Sequence, residues 1–136
     1  MNAALRLSPQ SLSRLSAYND EDLGPHAKAL WRDLCAAAAA GLPLAVVALA
    51  AALIDVVAHE DAGPASYLDG AAFSFAGNKA ALGWLRRRRN GILHYEQPTD
   101  GLMGESDAAR WLLADAERAV ATLLEYLADL DVGAAD

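Results

Sequence analysis

Twenty consecutive residues, Cys35 to Ile54, carry no charge. A run of this length must either cross a membrane or be buried inside a protein. Most of it is alanine, which drives lipid insertion far less than leucine or isoleucine. Gly41 and Pro43 break it near its start. Its larger residues, Leu42, Val46, Leu49, Leu53 and Val57, recur at spacings of four and three. That spacing marks one apolar stripe of a buried helix. No membrane span is therefore expected. A core rich in alanine instead calls for helices in close contact.

The rest of the chain follows the same period. Ser8 and Pro9 suit the N-cap and first turn of a short helix. Pro25 opens a helix expected to reach Ala40, with Gly41 as its stop. Pro43 restarts the chain, and that second long helix is expected to end near His59. Glu60 to Pro64 reads as a loop, and residues 66–76 as a short helix carrying Tyr67, Leu68, Phe73 and Phe75. A further helix is expected from Asn78 to Tyr95, closed by Pro98. The last runs from Ser106 to Leu130, with Leu112, Ala116, Val120, Leu123, Leu127 and Leu130 as its stripe. No stretch alternates cleanly enough for a strand. The expected fold is all-α, an up-and-down bundle of four to five helices. At 136 residues it forms one domain, 1–136, with 1–24 and 131–136 peripheral or poorly ordered.

Charge narrows the function. Eighteen acidic residues face eleven basic ones, for a net charge of −7. A global grip on nucleic acid is not expected from such a chain. The basic residues are unevenly placed, however: Arg86, Arg87, Arg88 and Arg89 are consecutive. The single cysteine, Cys35, excludes an internal disulfide and a thiolate cluster. Followed by five alanines, it reads as a small buried hydrophobe. His59, Glu60 and Asp61 are adjacent and poorly disposed to face one ion, so no metal site and no cofactor are expected. The opening MNAALRLSPQSLSRLS lacks an apolar leader core, and the expected location is cytoplasmic. Trp31, Trp84 and Trp111 each fall on a different helix and read as core or dimer contacts before a base-stacking platform.

Placed on an ideal helix, Leu82, Leu85 and Ile92 share a stripe, and Arg89 lies inside it, roughly 40° from Leu85. A charge there needs a partner or a second chain. Asn90 and His94, four apart, share the opposite side with Arg87. Arg89 and His94 are roughly 140° apart on a straight helix. They can line one cleft only if the helix loosens near Gly91 or a second subunit closes the site. Two readings stay open for Arg86 to Arg88, a solvated face or a patch for an RNA backbone. For Arg89 and His94 the bland alternative is a structural ion pair and a histidine at a helix end.

Arg89-Asn90-x-x-x-His94 resembles the R-x4-6-H signature of HEPN domains, in the form with Asn after the Arg. Its place late in a long helix, with one more long helix to follow, is similar to that family's as well. The resemblance implies a small helical bundle, a homodimer that brings two motifs together, and metal-independent ribonuclease activity. It also implies a toxin–antitoxin or phage-defence setting, with a nucleotidyltransferase-type antitoxin as partner. On it, His94 handles the ribose 2′-OH or leaving-oxygen proton, Arg89 holds the phosphate, and Asn90 orients His94 or the phosphate. Arg86, Arg87, Arg88 and Tyr95 become RNA contacts. Many toxin members carry a tyrosine two residues after the histidine; here Tyr95 follows His94 directly and Glu96 takes the second place. A non-catalytic module binding RNA, a nucleotide or a protein is the alternative.

Overall fold

The computed structural model describes residues 6–21, 23–69, 79–94, 102 and 107–135, the side chains of 60–69 and 130–135 excepted. Among the described residues there are five helices and no strand: α1 (Pro9–Ala17), α2 (Pro25–Ala40), α3 (Pro43–Asp69), α4 (Lys79–His94) and α5 (Ala108–Ala135). Each helix packs on the next in sequence, α5 packs on α3 as well, and α1 reaches α5. Helix α3 is thus the centre, with α2, α4 and α5 around it. No described helix is long and apolar enough to cross a membrane.

Local chemistry sets the helix ends. The Ser8 hydroxyl accepts a hydrogen bond from the Ser11 N–H at 3.1 Å, and Pro9 fills the first turn of α1. Helix α2 stops at Gly41, whose φ of 71° and ψ of 42° are left-handed. The Gly41 N–H reaches the Ala38 carbonyl and the Leu42 N–H the Ala37 carbonyl. This is the paired closure that glycine makes at low cost. The Leu42 carbonyl then accepts from the Val46 N–H at 3.0 Å, so one residue closes α2 and begins α3. Its side chain is exposed as a result and leaves the stripe expected for it, while Val46, Leu53 and Val57 are buried.

The core follows the alanine logic. Ala27, Ala37, Ala38, Ala50, Ala51, Ala116 and Ala119 are buried beside Leu34, Leu53, Leu123 and Leu127. Small side chains at the contacts let helix axes approach, and the leucines fill what remains. Burying each of those leucines is worth about 1.5–3 kcal/mol. Buried Thr122 donates its hydroxyl to the Arg118 carbonyl at 2.8 Å, which removes the penalty of a polar group inside.

Two expectations give way. Residues 60–64 are not a loop, because α3 continues through them to Asp69. A proline inside a helix forfeits one backbone bond, yet α3 is helical on both sides of Pro64. Of the expected short helix, residues 66–69 belong to α3, and Phe73 and Phe75 lie outside the described residues. Within the N-terminal segment, residues 6–21 pack on the bundle. Leu7 and Leu15 are buried, and the Tyr18 ring lies 4.7 Å from that of Trp31. Glu117 of α5 accepts hydrogen bonds from the Ser8 N–H, the Ser8 hydroxyl at 3.1 Å and the Ser11 hydroxyl at 2.7 Å. A carboxylate is thereby set at the N-terminus of α1, where the helix dipole favours it. At the other end, residues 131–135 continue α5.

Candidate functional site

Helix α4 carries the arginine run, and its rotation decides what each arginine does. The buried positions are Ala81, Leu85, Arg88 and Gly91, with Leu82, Trp84 and Ile92 partly covered. The buried face is therefore turned toward Arg88 from the stripe expected on Leu82, Leu85 and Ile92. The small residues Ala81 and Gly91 cause the turn, because they admit a neighbouring helix where a leucine would hold it off.

Arg88 is the first consequence. Its side chain is 8% exposed, and its Nε donates to Asp115 Oδ2 of α5 at 2.6 Å. Its side chain is thereby committed to the seam between α4 and α5, away from the solvent an RNA contact would need. A guanidinium taken from water needs such a charged partner.

Arg89 comes out at the edge of α4 nearest α3. Its Nη1 donates to Asp55 Oδ2 at 2.7 Å, and its Nε and Nη2 donate to Asn90 Oδ1 at 3.3 and 3.2 Å. Asp55 also faces Arg86 Nη2 at 3.7 Å. One carboxylate on α3 thus stands between two guanidiniums on α4. Asn90 Oδ1 here serves Arg89. Side-chain exposures of 23% for Arg89 and 33% for Asp55 leave that pair within reach of solvent.

His94 is the last residue of α4 and is exposed. Helix α4 stays helical through Gly91, which is buried and has no positive φ. The loosening that would swing His94 toward Arg89 is absent from α4. Within one chain the two therefore stay on different sides of the helix, roughly 140° apart. Arg87 is exposed beside Gly83. Tyr95, Glu96 and most of the segment to α5 lie outside the described residues. The His59 ring donates from Nδ1 to the Asp55 carbonyl at 2.6 Å, and no cluster among the described residues has the donors for a metal. Partial burial, with a smaller contribution from Asp20, raises the pKa of the Cys35 thiol and leaves it a poor nucleophile.

The charge around this helix runs against the whole chain. Residues 79–94 and 107–118 hold Lys79, Arg86 to Arg89, Arg110 and Arg118 against Asp107, Asp115 and Glu117, and Asp55 of α3 faces Arg86 and Arg89. Asp115 is engaged with Arg88 and Glu117 with α1. Arg86, Arg87, Arg110 and Arg118 are exposed. Salt screens charges beyond about 8–10 Å, so a ligand at this surface meets the local cations more than the distant acids.

Several members of this site escaped the sequence reading. Asp55 is the first charge after the long uncharged run, on the central helix, and that isolation was its signal. Asp115 precedes Ala116 of the α5 stripe. The Trp84 ring lies 4.1 Å beneath the Arg118 guanidinium, which no spacing within one helix could reveal. Trp111, expected in a core or a dimer contact, is 46% exposed. In the comparisons with known proteins, no family model, no curated protein and no solved structure matches the chain.

Proposed function

We propose that this chain is a HEPN-like helical domain that cleaves RNA without a metal, using Arg89 and His94 at a cleft between two copies. The observation that carries the reading is the state of Arg89. It sits at a solvent-reachable edge of α4, oriented by Asp55 and Asn90, in a locally basic region of an acidic protein. Because α4 keeps Arg89 and His94 on different sides, a second copy completes the site. His94 of one copy then works beside Arg89 of the other.

The chemistry follows from the groups. His94, neutral, takes the proton of a ribose 2′-OH as that oxygen attacks the adjacent phosphorus. The bond from phosphorus to the 5′-oxygen breaks, and an imidazolium returns a proton to that oxygen. The products are a 2′,3′-cyclic phosphate and a 5′-OH. Arg89 leaves Asp55 for the phosphate, which it can grip with two parallel hydrogen bonds as charge builds in the transition state. In this reading Arg86 and Arg87 hold the flanking backbone, with Tyr95 beside the site. The setting is a cytoplasmic toxin–antitoxin or phage-defence pair, the partner being a nucleotidyltransferase-type antitoxin.

The hold of Asp55 on Arg89 favours a second reading. An arginine already paired at 2.7 Å suits a module that binds RNA, a nucleotide or a protein without cutting. Cleavage in the presence of EDTA separates the two. The parent protein is expected to leave cyclic phosphate ends. Arg89→Ala and His94→Ala, each folded by circular dichroism, are expected to lose at least a hundredfold in rate, the usual scale for a general base. Equal activity in all three proteins would expose a contaminant, and no activity in a folded parent would give the site to the binding module.

A further inference from the structure

Trp84, Arg87, Gly91 and His94 follow one another on α4 at spacings of three, four and three, one line along the helix. That line borders α5. Trp84 lies level with Arg118 and Arg88 level with Asp115, so α4 and α5 run antiparallel. In the same register Gly91 falls opposite positions 111 and 112. Trp111 and Arg118, seven residues apart, share one face of α5 about 10.5 Å apart. By this register the outer edge of the seam carries, in order, the Trp84–Arg118 pair, Arg87 and the exposed Trp111, and it ends at His94.

We propose that this seam is a binding track for single-stranded RNA that leads to His94. Trp111 stacks on one base, and the guanidinium of Arg118, held over the Trp84 ring, stacks on another. Arg87 meets the backbone between them. The inference rests on RNA being the ligand of the α4 site and adds which face carries it and in what form. Charge complementarity chooses the occupant. Among the described exposed charges near the two tryptophans, Arg87, Arg110 and Arg118 outnumber Asp107, on a chain of net charge −7. An exposed tryptophan face beside an arginine stacked on a second tryptophan suits a polyanion that also offers flat rings. A duplex keeps its bases stacked inside and cannot use such platforms.

The test is binding of a fluorescently labelled, 2′-O-methylated RNA of about 12 nucleotides, within the usual site sizes of single-strand binders. Without a 2′-OH nucleophile this probe resists cleavage, so binding is read apart from catalysis. The parent is expected to bind the single strand more tightly than its duplex, with quenching of tryptophan fluorescence. Trp111→Ala should weaken binding about tenfold, the scale of one lost base stack. Trp111→Phe should retain most of the affinity. Arg32→Ala, which removes an exposed charge on α2, should match the parent. Trp111 is exposed, so its loss leaves the fold intact, which circular dichroism verifies. Equal affinity for Trp111→Ala and parent overturns the proposal, as do equal losses in Trp111→Ala and Arg32→Ala. A parent that binds no RNA, and whose mass in sedimentation falls on Trp111→Ala, would give the face to a second copy. Binding as expected without cleavage of unmodified RNA would sustain the track and defeat the catalytic reading.

Discussion

Two ion pairs flank helix α4 and are nearly equal in length. Arg88 meets Asp115 at 2.6 Å on the α5 side, and Arg89 meets Asp55 at 2.7 Å on the α3 side. Burial separates them. The first pair has side-chain exposures of 8% and 20%, the second of 23% and 33%. Asp55 also faces Arg86, so on the α3 side one anion stands before two cations. Neighbouring arginines, one helical step of roughly 100° apart, thus have different jobs. Arg88 joins two helices. Arg89 is paired at an edge within reach of solvent. Distance alone would have called the two pairs alike.

Removing Arg88 breaks the comparison most severely. Arg88→Met should lower the stability to urea by about 3 kcal/mol, because it strands the Asp115 carboxylate in the seam. Changing Asp115 to Leu in the same protein should restore most of that loss, since an apolar pair fills the space without a charge. A single-variant loss below about 1 kcal/mol would make this pair no more structural than its neighbour. On the other side, Asp55→Asn keeps the shape and removes the charge. It should cost under about 1 kcal/mol, the scale of exposed pairs. Its larger effect should be on RNA, with affinity rising several-fold at low salt as two guanidiniums lose their internal anion. Unchanged affinity would take Arg86 and Arg89 out of the phosphate contacts.

The sequence revealed the fold better than it revealed this division. Gly41 and Pro43 marked one helix end and the next start, and both stand where expected, as does the Ser8 cap. These signals are local, set by backbone freedom or a fixed φ, and local physics suffices to read them. The stripe of α5 was legible for a related reason, since Ala116, Val120, Leu123 and Leu127 repeat with the helix and are buried. The face of α4 was misjudged because large apolar residues guided its placement. Ala81 and Gly91, which carry little hydrophobic weight, determine how closely the neighbours approach. That displacement moved the buried arginine from position 89 to 88. The length of α3 was misjudged because Gly63 and Pro64 are breakers by propensity, and propensity is a weak prior inside a helix that is packed along most of its length. Asp55, Asp115 and the Trp84–Arg118 stack are contacts between helices, and periodicity within one helix carries no information about them.

The finest separation between the two sides of α4 is a salt slope. The Arg86 side chain is 50% exposed and faces Asp55 at 3.7 Å, too loosely to matter much for stability. Arg86→Ala should therefore shift the urea midpoint by less than the error of a linear extrapolation. Its effect should appear in RNA binding measured from about 0.05 to 0.2 M salt. Each phosphate neutralised on a single strand contributes roughly 0.7 to the slope of log affinity against log salt concentration. Losing Arg86 should make that slope shallower by about this amount. The double variant Arg88→Met, Asp115→Leu, which keeps the seam filled, should leave it as it was. A slope that changes with the Arg88 double variant and not with Arg86→Ala would invert the comparison, making Arg88 the phosphate contact and leaving Arg86 and Asp55 as surface decoration.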